Sequence, residues 1–162
     1  MNKKLYLIRH SYAEDSNGKK DFDRNLTLEG QSTVRALGRY LINESFNPDI
    51  ILCSSSQRTT ETAINLVEEL EINEQIIDYQ DVIYNASVRE ILSVLTNVDE
   101  SHKEVAIIGH NPTITYFGEY LTGANIGNMQ PSGVVRIRFE RLNWSEISQN
   151  LGIFESYYHP SH

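Results

Sequence analysis

Four side chains able to do phosphorus chemistry each occur at or just beyond the end of a short apolar stretch: Arg9, His10, Arg58 and His110. An arginine is a permanently charged, forked donor whose geometry suits phosphate oxygens. A neutral histidine is a nucleophile, a hydrogen-bond donor or a metal ligand. The residue types therefore favour either a phosphoryl site or a metal site.

The apolar stretches predict strands whose carboxyl ends meet at one edge of a sheet. The run 4–11 is apolar until it ends in Arg9 and His10, and predicted strands at 49–53 and 104–109 also end in polar residues. Ligands of open α/β sheets bind beyond the carboxyl ends of the strands. The polar groups after the three strands are therefore expected to converge.

Helical periodicity separates these strands. Four helices are predicted. The first begins after the N-cap Thr27 and ends near residue 45, the second spans 57–70, the third runs from the N-cap Ser87 to about residue 97, and the fourth spans 111–123. Two further strands are predicted at 75–78 and 134–139. Trp144 is expected in or near a last strand or turn. Residues 157–159 are expected either to pack as a tail or to be disordered. Residues 11–25 show no period and are expected to form a loop over the site.

Alternating strands and helices predict an α/β fold, a three-layer sandwich whose mostly parallel central sheet has helices on both faces. The length of 162 residues and a composition of 40% hydrophobic and 22% charged residues suit one domain, 1–162.

The net charge of −8 argues against nucleic acid as a partner. No stretch is long enough for a signal peptide or a membrane span, so we expect no membrane partner and a cytoplasmic location. The single cysteine, Cys53, is expected in the core.

Three motifs in this order resemble the histidine phosphatase superfamily: Leu7-Ile8-Arg9-His10, Ser54-Ser55-Ser56-Gln57-Arg58-Thr59 and Gly109-His110-Asn111-Pro112. The sequence is most similar to the short phosphohistidine phosphatases of the SixA type. The resemblance implies a phosphoglycerate mutase-like fold and a two-step phosphoryl transfer without cofactor or metal. In that scheme His10 is the catalytic nucleophile, while Arg9, Arg58 and His110 hold the phosphoryl oxygens.

Two features depart from the family pattern. Ser11 stands where the family most often has glycine, and it is expected either to narrow the loop or to add a hydroxyl to the phosphate pocket. The general acid is not marked by a motif; Asp81 is one candidate, and Glu14 and Asp15 are its rivals. Because imidazole, with a pKa of about 6.5, leaves more easily than an alkoxide, weak provision of an acid favours a phosphohistidine substrate.

The metal interpretation is the weaker one. His10 and His110 would need converging carboxylates or thiolates, and two arginines beside a cation would repel it. No metal site is therefore predicted.

Three functional hypotheses follow from the sequence. The leading hypothesis is a metal-independent phosphatase that dephosphorylates phosphohistidine on a protein partner. The second keeps the nucleophile but acts on a small phosphomonoester, such as a sugar phosphate or nucleotide. The third is a phosphate-binding module without turnover. The sequence does not set the oligomeric state.

Overall fold

A mixed six-stranded sheet forms the centre of the computed structural model, which describes residues 2–161. Met1 and His162, which the predicted domain 1–162 includes, lie outside the described residues. The strand order is β3-β2-β4-β1-β5-β6, in which β1 to β4 run parallel and β5 and β6 are antiparallel to their neighbours. The strands are β1 (Asn2–Arg9), β2 (Ile50–Cys53), β3 (Ile77–Tyr79), β4 (Glu104–Gly109), β5 (Val134–Glu140) and β6 (Ile153–Tyr158).

Four helices cover the two faces of this sheet, α1 and α2 on one face and α3 and α4 on the other. The predicted α/β sandwich with a mostly parallel sheet is therefore confirmed. Within residues 2–161, no helix has both the length and the apolar character needed to cross a membrane. The helices are α1 (Leu28–Asn43), α2 (Gln57–Leu70), α3 (Val88–Thr96) and α4 (Thr113–Thr122).

Side-chain alternation along β1 determines which helix layer each site residue faces. Leu5 and Leu7 pack in the core under α3 and α4, whereas Tyr6 and Ile8 pack in the core under α1 and α2. Successive side chains of a strand point to opposite faces. Arg9 and the following histidine therefore leave the strand toward different helix layers.

The helix starts follow the predicted capping pattern. The Thr27 hydroxyl accepts a hydrogen bond of 2.9 Å from the Gly30 amide at the start of α1. Ser87 and Glu90 form a capping box at the start of α3. Helix α2 has the bounds that its periodicity predicts. Pro112 was predicted at the first helical position, but it precedes α4 as its N-cap.

The carboxyl-terminal part of the sheet differs most from expectation. Tyr157 and Tyr158, predicted to lie in a tail, belong to β6, which pairs with β5 at the edge of the sheet. Residues Ile153–Tyr158 are all exposed or half-buried, so the alternation of buried and exposed side chains that marks a strand in sequence is absent. Trp144 is fully buried in a short 3-10 helix, and β3 begins two residues later than predicted.

Close packing between the chain after β1 and the start of α1 gives a first testable prediction. A Cβ atom at Gly30 would lie 2.2 Å from the carbonyl oxygen of Tyr12. We expect Gly30→Ala to lower the free energy of unfolding by about 1–3 kcal/mol, because the two backbones must separate. Urea unfolding measures the change.

Gly109→Ala is the matched control for this substitution. Its Cβ would meet only side-chain atoms at 3.5 Å or beyond, an ordinary contact. Equal stabilities of the two alanine variants would contradict the packing argument.

Candidate active site

His10, Arg58 and His110 lie together beyond the carboxyl ends of β1, β2 and β4. The Nε atom of Arg58 donates to Nε2 of His10 at 3.3 Å, and its Nη2 atom donates to Nδ1 of His110 at 3.4 Å. The two imidazole centroids are 5.4 Å apart. The structure thus brings together three groups that the sequence distributes over one hundred positions.

The bond that His10 makes with the backbone defines its tautomer. Its Nδ1 atom lies 2.7 Å from the carbonyl oxygen of Ser11, and a carbonyl oxygen only accepts, so Nδ1 carries the proton. Nε2 therefore keeps its lone pair. Burial, with smaller contributions from nearby His110 and Arg58, lowers the pKa of His10 to about 3. At neutral pH the imidazole is therefore uncharged.

His110 has the opposite tautomer. Because the guanidinium of Arg58 can only donate, Nδ1 of His110 accepts, and the proton resides on Nε2. This Nε2–H lies 2.8 Å from the hydroxyl oxygen of Ser54 and donates to it. Burial and the charge of Arg58 lower the pKa of His110 to about 4. The sequence places Ser54 in one of the three motifs but does not show this contact, because the direction of a hydroxyl is set by the local turn rather than by residue type.

Arg58 lies in the first turn of α2, buried, as its position in the sequence predicts. Its outer nitrogens donate to Asp21: Nη1 to the carbonyl oxygen at 2.7 Å and Nη2 to the carboxylate Oδ2 at 3.0 Å. The Tyr84 hydroxyl donates to the same Oδ2 at 2.7 Å. This hydrogen bond, followed by those from Arg24 and Arg58, holds the pKa of Asp21 well below its usual range, so the carboxylate is ionised.

Arg9 approaches from the other side of β1. Its Nη1 donates to the carbonyl oxygen of Met129 at 2.9 Å, whereas its Nε is buried with no hydrogen-bond partner within residues 2–161. An unpaired buried donor costs about 1–3 kcal/mol. Burial lowers the pKa of Arg9, but a guanidinium stays charged in proteins. Arg9 is therefore a permanent positive charge with one buried N–H that no other described residue accepts.

Ser11 was expected either to narrow the loop or to add a hydroxyl to the phosphate pocket, and the structure shows where that hydroxyl binds. Its side chain is buried, its hydroxyl donates to the carbonyl oxygen of Gly30 at 2.7 Å, and its amide donates to the Thr62 hydroxyl at 3.0 Å. The Ser11 hydroxyl therefore donates to a backbone carbonyl of the protein itself rather than into the pocket. What Ser11 contributes to the site is its carbonyl oxygen, which orients His10.

Within residues 2–161, none of the acids proposed from the sequence is hydrogen-bonded to His10 or His110. Asp81 accepts from Ser55 at 2.5 Å, Glu14 pairs with Lys19 at 2.6 Å, and Asp15 is exposed. The structure brings Asp21 to Arg58 instead, from the loop that was expected to cover the site.

His110 and Arg58 border an open cavity of about 400 Å³, whose lining also includes Asp21, Asn85 and Asn111. A larger cavity of about 510 Å³ lies between β2, β3 and α3, away from this chemistry. Among the described residues, no group of three or more histidine, cysteine, aspartate or glutamate side chains is arranged to hold a metal ion.

Comparison with known proteins gives a family match and a fold match. Residues 5–81 match the model of the histidine phosphatase superfamily (branch 1). No curated protein matches the sequence. The predicted resemblance is thus confirmed by the family model over residues 5–81 and by the fold over the whole chain.

Three solved structures share the fold along almost the entire chain. SixA from Nakamurella multipartitia superposes with a TM-score of 0.83 at 23% identity, covering 100% of this chain and 98% of that one. SixA from Agrobacterium tumefaciens gives 0.81 at 24%, covering 98% and 99%. The protein histidine phosphatase SixA complexed with tungstate gives 0.81 at 19%, covering 96% of each chain.

The hydrogen bonds of the two histidines predict their tautomers and titration. We expect His10 to carry its proton on Nδ1 and His110 on Nε2, and both to stay neutral from pH 8 to pH 5, because their pKa values are about 3 and 4. Long-range ¹H–¹⁵N NMR with pH titration reports both properties. Protonation of His10 above pH 5, or identical tautomers, would contradict the assignment.

The lowered pKa values of His10 and His110 also determine how the free energy of unfolding changes with pH. Both folded pKa values lie below the ordinary value of 6.5, so the unfolded chain binds more protons in acid. These histidines therefore make the free energy of unfolding decrease as the pH falls below about 6.5.

Proposed function

We propose that this chain, whose residues 5–81 match the histidine phosphatase superfamily and whose fold is that of SixA, is a phosphatase that forms a covalent phosphohistidine at His10. One observation carries the proposal. The Ser11 carbonyl holds the Nδ1 proton of His10, so the lone pair of Nε2 faces the guanidinium of Arg58. A neutral nucleophile beside a fixed cation is the arrangement that attack on an anionic phosphoryl group requires.

In the first step, Nε2 of His10 forms a bond to phosphorus while the bond from phosphorus to the leaving group breaks. The electron pair of that bond passes to the leaving atom, which takes a proton from solvent. In the second step, a water oxygen attacks phosphorus, the P–Nε2 bond breaks and its electron pair returns to His10. The water gives its proton to solvent, and inorganic phosphate is released.

Negative charge on the oxygens of the transferring phosphoryl group is stabilised by cationic and hydrogen-bond-donating side chains from several strands and helices. Arg58 offers the Nε–H and Nη2–H that face the histidines, and Arg9 adds a second permanent positive charge close enough to lower the pKa of both histidines. A bound phosphoryl group also raises the proton affinity of His110, which can then donate to it. Catalysis in this scheme rests on positioned donors that stabilise the transition state.

The available acids favour a phosphohistidine substrate on a protein. Asp21 is ionised and bound to Arg58, Asp81 is bound to Ser55, and Glu14 is bound to Lys19. An imidazole leaving group, with a pKa of about 6.5, needs little protonation, whereas an alkoxide needs an acid. One of the solved structures that share this fold is a protein histidine phosphatase, which supports the same substrate class.

The nucleophile can be tested directly. We expect rapid acid-free quenching and peptide mass spectrometry to find phosphate on His10 during turnover, and His10→Ala to lower kcat by at least about 1,000-fold, because the covalent path is lost. His102→Ala is the matched control, since His102 lies before the amino end of β4. Unchanged hydrolysis by His10→Ala would refute the enzyme, and phosphate binding without any hydrolysis by the wild type would favour the non-catalytic module.

A substrate panel tests the second part of the proposal. We expect kcat/KM for a phosphohistidine-bearing protein to exceed that for sugar phosphates and nucleotides by at least about tenfold, because only the imidazole leaves without an acid. Steady-state release of inorganic phosphate measures both. A preference for the esters would support the small-molecule alternative.

A further inference from the structure

We propose that Asp21, supported by Tyr84, is a positioning residue that aims one edge of the Arg58 guanidinium at the reaction centre. The inference rests on the proposed function, because it assigns to that site a residue that does not touch the nucleophile. It is based on how the hydrogen bonds are distributed around the guanidinium.

A guanidinium has two edges able to bind an anion with two parallel hydrogen bonds. The end edge of Arg58, formed by Nη1 and Nη2, binds the carbonyl and carboxylate oxygens of Asp21 at 2.7 and 3.0 Å. The side edge, formed by Nε and Nη2, faces Nε2 of His10 at 3.3 Å and Nδ1 of His110 at 3.4 Å. Asp21 thus occupies the outer edge and leaves the inner edge directed at both histidines.

Tyr84 restrains the same pair from a second direction. Its hydroxyl donates to Oδ2 of Asp21 at 2.7 Å, and its ring centroid lies 6.0 Å from the Arg58 guanidinium carbon. The ring also contacts His110 edge-on at 5.5 Å and Phe22 at 5.0 Å. Asp21 therefore fixes the guanidinium in its plane, while Tyr84 packs near it and fixes the carboxylate.

This geometry makes Asp21 a support for anion binding. A phosphoryl group that replaces the two imidazole nitrogens gains both donors of the side edge without displacing Asp21 from the end edge. The Asp21 side chain is 52% exposed, so the attraction between the two charges is screened by water and contributes little by itself. Its effect is to remove rotational freedom from a long side chain before the substrate arrives.

Binding of inorganic phosphate, followed by calorimetry, tests the inference without requiring turnover. We expect Asp21→Ala to weaken phosphate binding by about tenfold, because it loses the direct bonds to Arg58, and Tyr84→Phe by about threefold, because Tyr84 acts only through Asp21. Asp21→Asn, which keeps an acceptor oxygen, should recover part of the loss. Asp23→Ala is the matched control and should bind as the wild type does. Asp23 has the same charge in the same 3-10 helix, and no ion pair of its side chain occurs within residues 2–161.

A double-mutant cycle separates positioning from a general structural role. If Asp21 acts through Arg58, then Arg58→Ala and Asp21→Ala/Arg58→Ala bind phosphate equally, within about twofold. Tighter binding by Asp21→Ala would overturn the inference, because the carboxylate would then compete with the anion. A full additional loss in the double variant would overturn it as well.

Failure of the proposed function would look different. If the wild type binds phosphate but hydrolyses nothing, while the cycle shows the expected coupling, the phosphatase assignment fails and the role of Asp21 stands. If Asp21→Ala does not fold, as judged by circular dichroism, the test passes to Tyr84→Phe, which removes one oxygen. Unchanged phosphate binding by that variant would then overturn the inference.

Discussion

The hydrogen bond between Nδ1 of His10 and the carbonyl of Ser11 is the constraint on which the rest of the site depends. It requires the chain to turn as soon as β1 ends, so that a backbone oxygen reaches the preceding ring. The turn is held by buried contacts, in which Ser11 bonds to Gly30 and Thr62. Helices α1 and α2 therefore do more than cover the sheet, since each fixes one side of Ser11, the residue that orients His10.

A second constraint is electrostatic. Two arginines lie beside two histidines, and this is tolerable only because burial and the cations keep both imidazoles neutral. Charged imidazoles here would repel the guanidinium groups. The charge balance of the site is completed from outside by Asp21, an ionised acid on a loop. The protein carries a net charge of −8, yet the guanidinium groups of Arg9 and Arg58 both lie close enough to His10 to lower its pKa.

Most of the fold and the centre of the site could be predicted from the sequence, for a physical reason that also explains the failures. Arg9, His10 and His110 follow buried strands, and Arg58 begins a strongly amphipathic helix, so periodicity alone places them at one edge of the sheet. Asp21 is one of four acids in a loop without periodicity, and nothing local shows which of them turns inward. The direction of the Ser11 hydroxyl depends on Gly30, nineteen residues away. Strand β6 was missed because its side chains are exposed or half-buried on both faces of the sheet edge.

The contact between Arg58 and the lone pair of His10 also bears on the end of the catalytic cycle. When phosphate departs, the side edge of the guanidinium regains its imidazole acceptors, so product dissociation exchanges one set of hydrogen bonds for another. Little net bonding is lost when the product leaves. In the mechanism we propose, this exchange of hydrogen bonds favours release of inorganic phosphate over its retention at the site.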